Sequence, residues 1–187
     1  FIGVGCIPVY AGLMDPEGQQ PWGLPVPVRE TAPLSDYPGD TDGSRFAHMI
    51  YRTERHVLDL GEAGAFNAAY FRYPAIYGPR QPTPLEWSVV RRVRDGRPAM
   101  ILPNGGLILT SRCAARNAAE YLLLAIDRPE ASRNQAYNCT DDEQFTIADD
   151  YIAIGQLHFA FAQCLDFPTF QYQPGFKAFF KKIVVGS

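Results

Sequence analysis

Short apolar runs alternate along this chain with helix-length stretches, and that alternation leaves few architectures open. Phe1–Ile7 reads as a buried strand. Arg45–Leu60 reads as a helix, with Ser44 as its N-cap and Phe46, Met49, Ile50, Thr53, Val57 and Leu60 near one face. Ala65–Tyr73 is a second strand, Leu85–Asp95 a second helix closed by Gly96, and Asn117–Asp127 an Ala/Leu-rich third helix. Ala99–Leu102 and Gly106–Thr110 flank Pro103-Asn104-Gly105-Gly106 and read as a hairpin. Ala136–Cys139 is a last short strand, and a further helix starts at Thr146. Strands that alternate with helices of about ten or more residues predict an α/β fold with a parallel sheet. The segment from Asp15 to Gly43 is rich in Pro, Gly and Asp and is expected to be a long surface excursion.

Composition narrows the function classes. Seventeen basic against twenty acidic residues give a net charge of −3, which argues against a general polyanion binder, so no nucleic-acid partner is expected. No stretch approaches the roughly 18 uninterrupted apolar residues of a membrane span, so no membrane partner is expected and the compartment is read as cytoplasmic. The chain opens at Phe1 with a strand already under way and is read as the later part of a longer protein. Cys6, Cys113, Cys139 and Cys164 form no CxxC pair and are expected to be buried free thiols. His48 and His56 share one side of a helix without a carboxylate at ligand spacing, and no metal site is expected. The tail beyond Ile154 is aromatic (Phe159, Phe161, Phe167, Phe170 and others), a pattern of core or subunit interface, and allows a homodimer.

Five landmarks occur in one order. Val9-Tyr10 is followed by Gly12; Pro27–Leu34 carries a Pro/Glu/Pro pattern; Glu54 lies late on the first helix; Phe71-Arg72-Tyr73-Pro74-Ala75-Ile76-Tyr77-Gly78-Pro79 runs from strand into loop; Tyr137-Asn138 precedes Thr146-Ile147. Together they resemble the second half of the extended short-chain dehydrogenase/reductases, the NAD-dependent epimerase/dehydratase family, over roughly residues 1–150. The resemblance implies a Rossmann-like, doubly wound parallel sheet, of which this chain holds the later strands, with a smaller substrate-binding part. Residues 1–80 would then belong to the NAD(P)-binding domain and 81–187 mostly to the substrate part, with return segments to the sheet at about 110–140.

The same resemblance assigns site residues. Tyr73, Pro74, Ala75 and Ile76 match the segment that borders the nicotinamide of NAD or NADP. The Gly-rich pyrophosphate turn has no counterpart, since Gly3-Val4-Gly5 lies inside a strand. The family's serine slot falls on Cys6, its tyrosine slot on Phe46 and its lysine slot on Ile50. Phenylalanine has no ionisable proton and isoleucine holds no charge, so conventional proton handling is expected to be impaired. Cys6 and Tyr10 are the remaining catalytic candidates. Tyr51 with Arg55 keeps a hydroxyl and a cation at the right spacing but faces elsewhere on the helix. Arg112, placed two residues beyond Thr110 on one strand face, and Arg116 are candidates to grip an anionic substrate, as is Arg80 after its Gly-Pro turn. Two readings follow. One is an epimerase, dehydratase or reductase acting on a small polar substrate such as a nucleotide sugar. The other is a catalytically inactive cofactor-binding, metabolite-binding or structural protein.

Overall fold

Ala69–Tyr73 is buried at every position, and a strand with no exposed residue must be covered on both faces. The computed structural model describes residues 1–18, 27–82, 85–97 and 99–164, with the backbone alone over 156–164, and it shows how that cover arises. The strand, β2 (Ala69–Tyr73), lies between β1 (Ile2–Cys6) and β6 (Gln135–Asn138), both parallel to it. On one face Tyr70 packs with Val57 and Leu58 of α1 (Asp42–Glu62). On the other, Ala69, Phe71 and Tyr73 pack with Ala118 and Ala125 of α3 (Ala115–Asp127). The fold is α/β with a parallel sheet between helices, and the alternation in the sequence predicts it for this reason.

Gly3 and Gly5 have a packing cause. A Cβ at either position would lie within 2.4–2.6 Å of the Tyr70 ring, so the ring fills the space that side chains on β1 would take. The pair is therefore explained by the strand contact.

The remaining elements are short. β3 (Ala75–Tyr77) pairs in parallel with β5 (Arg112–Ala114). β4 (Leu109–Thr110) pairs antiparallel with β7 (Phe145–Thr146). α2 (Leu85–Arg94) packs against α4 (Ile147–Cys164). The described residues divide into two compact units, one within Phe1–Pro79 and Arg112–Asp141, the other within Arg80–Ser111 and the described residues from Asp142 on.

Several local expectations are corrected. The expected hairpin does not form: 99–102 is not a strand, Pro103–Gly106 is a tight turn with positive φ at Asn104, Gly105 and Gly106, and Leu109–Thr110 finds its partner at Phe145–Thr146 instead. Thr110 and Arg112 do not share a strand face, because the first belongs to β4 and the second to β5. The N-cap of α1 is Thr41. Its hydroxyl accepts the Ser44 N–H at 3.1 Å, and the Ser44 hydroxyl accepts the Thr41 N–H at 3.1 Å, so Ser44 completes a capping box from the first turn. The inward face of α1 is Ala47, Ile50, Glu54, Val57, Leu58 and Gly61, whereas Phe46, Met49 and Leu60 are exposed. The aromatic side chains of the tail lie outside the described residues. Among the described residues, no helix is long and apolar enough to cross a membrane.

Candidate functional site

Ligands of open α/β sheets bind beyond the carboxyl ends of the strands. Those ends lie side by side here, with Cys6 opposite Tyr73 and Arg72 opposite Asn138. The polar side chains at this end converge on Arg72. Its Nε and Nη2 donate to Glu54 Oε2 and Oε1 at 2.9 and 2.5 Å. Its Nη1 donates to the Tyr10 hydroxyl at 2.7 Å and to the Glu30 carbonyl at 3.2 Å. The Tyr10 hydroxyl in turn donates a hydrogen bond to Asn138 Oδ1 at 2.7 Å. Asn138 Nδ2 donates to the Val28 carbonyl at 2.9 Å, and the Asn138 N–H to Glu30 Oε1 at 3.0 Å.

Glu54 is fully buried, and Arg72 is 3% and Tyr10 1% exposed. Such burial is tolerated because these charges and hydroxyls find partners. Burial works against the Arg72 charge, but the Glu54 carboxylate outweighs it and raises the pKa. Burial pushes the Tyr10 phenol up, and Arg72 opposes it only in part. Tyr10 was a catalytic candidate on sequence; in the structure its single proton is committed to Asn138 and its oxygen to Arg72.

Cys6 ends β1, half-buried and unpaired, and packs against the Val9–Tyr10–Ile50 cluster; burial raises its thiol pKa. Cys113 and Cys139 are free and fully buried. Ile50 is inward and apolar, while Phe46, one turn earlier, is 43% exposed, so the two side chains lie in different surroundings. Tyr51 packs against that Val9–Tyr10–Ile50 cluster and stacks on His48 with ring centroids 5.8 Å apart.

Beyond β2 the chain continues along the candidate cofactor segment. Tyr73 is core: its hydroxyl donates to the Ala118 carbonyl at 2.8 Å, and burial holds its pKa far above the usual value. Pro74 is buried, whereas Ala75 and Ile76 are exposed, Ile76 by 38%. Ala75 stands opposite Arg112 and Ile76 opposite Cys113. The Arg112 guanidinium lies 6.0 Å from the Tyr77 ring centroid. The Tyr77 hydroxyl donates to Asp141 Oδ2 at 2.8 Å. Asp141 also accepts the Ala114 N–H at 3.0 Å and Asn117 Nδ2 at 2.7 Å. It thereby holds the N-cap N–H and a first-turn side chain of α3, whose N-cap, Ala114, makes no side-chain capping bond. Partial burial works against the Asp141 charge, but these donors hold its pKa below the usual carboxylate value. Arg116 is exposed near the start of α3.

The structure thus brings together Cys6, Tyr10 and Ile50, and separately Ala75, Ile76 and Arg112. Arg80 is exposed, has φ +66° and belongs to the second unit. Sequence reasoning singled out Glu54 and the segments holding Arg72 and Asn138 without seeing that they meet. It gave no role to Asp141, which carries no motif in the sequence.

No family model matches the sequence, and no curated protein matches it. Solved structures do match. A dTDP-glucose 4,6-dehydratase from Bacillus anthracis str. Ames in complex with NAD is 16% identical with a TM-score of 0.58, over 83% of this chain and 45% of that one. The fold is Rossmann-like. An epimerase from Methanothermobacter thermautotrophicus is 10% identical with a TM-score of 0.60, over 85% of this chain and 44% of that one. A UDP-N-acetylglucosamine 4-epimerase from Methanobrevibacter ruminantium M1, in complex with UDP-N-acetylmuramic acid, is 16% identical with a TM-score of 0.56, over 93% of this chain and 50% of that one. The chain spans about half the length of these structures.

Proposed function

We propose that this chain is part of an NAD(P)-dependent protein of the epimerase/dehydratase type that binds a small polar substrate, nucleotide sugars being the first class to try. The observation that carries this reading is the exposed Ala75–Ile76 segment directly beyond the carboxyl end of β2. Some of the solved structures of like fold are complexes with NAD or NADPH. The segment fits one wall of a dinucleotide site: Ile76 offers an apolar surface to a planar ring, behind a backbone fixed by Tyr73 and Pro74. The fit stops at that wall, because the chain has no Gly-x-Gly-x-x-Gly turn for the pyrophosphate.

The cofactor supplies hydride acceptance and return when bound. This chain's residues orient and exclude. Tyr73 and Pro74 anchor the wall, and Ala75 and Ile76 form it. Arg112 and Arg116 supply positive charge for an anionic group; Arg80, the third arginine candidate, belongs to the second unit. Cys6 is the protic side chain at the end of β1, in the place that resembles the family's serine slot.

A second reading is favoured by a specific observation. The Tyr10 proton is committed, Phe46 is apolar and exposed, and Ile50 is apolar and inward. A site without those protic groups binds a cofactor or metabolite without moving a proton. The test is turnover of carbonyl and sugar-nucleotide substrates with NAD(P) by the natural gene product, beside its Cys6→Ser/Phe46→Tyr/Ile50→Lys variant. Turnover by the unaltered protein supports the enzyme. Turnover only by the variant supports the binding protein. Neither turnover nor NAD(P) binding in either protein overturns both readings.

A further inference from the structure

The segment 28–35 is a strap fastened to the sheet by side chains from distant parts of the chain. Backbone bonds begin the attachment: Ser35 N–H donates to the Val9 carbonyl at 2.8 Å, Ala11 N–H to the Pro33 carbonyl at 3.0 Å, and Tyr10 bridges Leu34. Val28, Ala32 and Leu34 pack on the Val9–Tyr10–Ile50 cluster, the same cluster that Cys6 packs on. The fastening itself is polar. Arg72 holds the Glu30 carbonyl, and Asn138 holds the Val28 carbonyl and the Glu30 carboxylate. Tyr10 links the two holders, bonded to both. Glu54 fixes the guanidinium plane from behind with two bonds, so that Nη1 is left aimed at the strap.

We propose that Arg72 and Asn138 are positioning residues forming a latch that closes the 28–35 strap over the carboxyl end of β1, so that the latch controls access to Cys6. Tyr10 is a member of the latch, which accounts for its buried, doubly bonded hydroxyl. The reaction class of the site does not enter this argument; that the strap walls a functional site rests on the reading above.

Hydrogen exchange and thiol alkylation test the latch without any need for activity. Two variants carry the test. Glu54→Leu/Arg72→Met replaces the buried pair with apolar groups of similar size, a change that proteins often tolerate. Asn138→Ala leaves the pair intact and removes the other holder. In both, exchange at the Ala11 and Ser35 amides is expected to rise about tenfold or more, the scale of one or two lost hydrogen bonds. Iodoacetamide labelling of Cys6, followed by peptide mass spectrometry, is expected to rise with it. Exchange in α3 is expected to stay as in the parent protein. Arg72→Lys, which keeps a cation beside Glu54, should restore part of the protection. Faster exchange at Ala11 and Ser35 with faster Cys6 labelling and unchanged α3 supports the latch; faster exchange with unchanged Cys6 labelling overturns its control of access to Cys6. Unchanged exchange and unchanged Cys6 labelling in folded Asn138→Ala overturn it, as does an equal rise in α3, which would mean general loosening. Failure of NAD(P) binding leaves this result intact and counts against the functional reading alone.

Discussion

The two faces of β2 are built on different principles. Toward α3, Ala69, Phe71 and Tyr73 join Cys113, Cys139, Ala118 and Ala125 in an apolar core, with Phe71 stacked on Tyr137 at 5.6 Å between centroids. Toward α1, one residue from each end of the strand's inner face does opposite work: Tyr70 fills space over two glycines, and Arg72 organises a buried polar network. The apolar face tolerates approximate fit, because dispersion and burial are non-directional. The polar face demands every partner at once, since each orphaned buried group is costly. Two adjacent residues, Phe71 and Arg72, thus serve stability and specification respectively.

The comparison breaks in predictable ways, the largest effect coming first. Glu54→Ala strands the buried Arg72 guanidinium and should cost about 3–5 kcal/mol in denaturant unfolding, most of which Glu54→Leu/Arg72→Met recovers. Phe71→Ala should cost a similar amount, about 3–5 kcal/mol, because it leaves a cavity that no polar rearrangement fills. Gly3→Ala drives a methyl into the Tyr70 ring and should cost about 1–3 kcal/mol by the same measurement. Asp141 gives a pH signature. Its folded pKa is lowered, so its contribution is present above the ordinary carboxylate value and is lost as the pH falls from about 4 toward the depressed folded value. Asp141→Asn should lower the melting temperature at neutral pH and approach the parent's value at the acid end, which flattens that limb. The smallest effect belongs to the solvent-facing Glu130–Arg133 pair, where Glu130→Gln should leave the melting temperature where it was.

The fold was legible because it follows from periodicity, a local property. The runs at Phe1–Ile7 and Ala65–Tyr73 and the helices between them declare a parallel sheet wherever their neighbours lie. Where sequence reading failed, a distant partner decided the outcome. Leu109–Thr110 pairs with Phe145–Thr146 and not with the neighbouring 99–102. The outward Phe46, Met49 and Leu60 of α1 look like a core stripe, but the buried face is Ala47, Ile50, Val57 and Leu58 together with Glu54, whose carboxylate meets the distant Arg72. The site was legible as residue types at matched positions, not as contacts. Tyr10, Glu54, Arg72 and Asn138 each stood in a recognisable segment, but their meeting is a product of the sheet register. Asp141 carried no motif and is understood only through its bonds to Tyr77, Ala114 and Asn117.

A native mass spectrum of the natural gene product tests the central functional claim most directly. The account predicts that the natural product retains one NAD or NADP per chain in that spectrum. A natural product that takes up neither dinucleotide, even when each is added in excess, would contradict it and leave the Rossmann-like sheet as a fold without its cofactor.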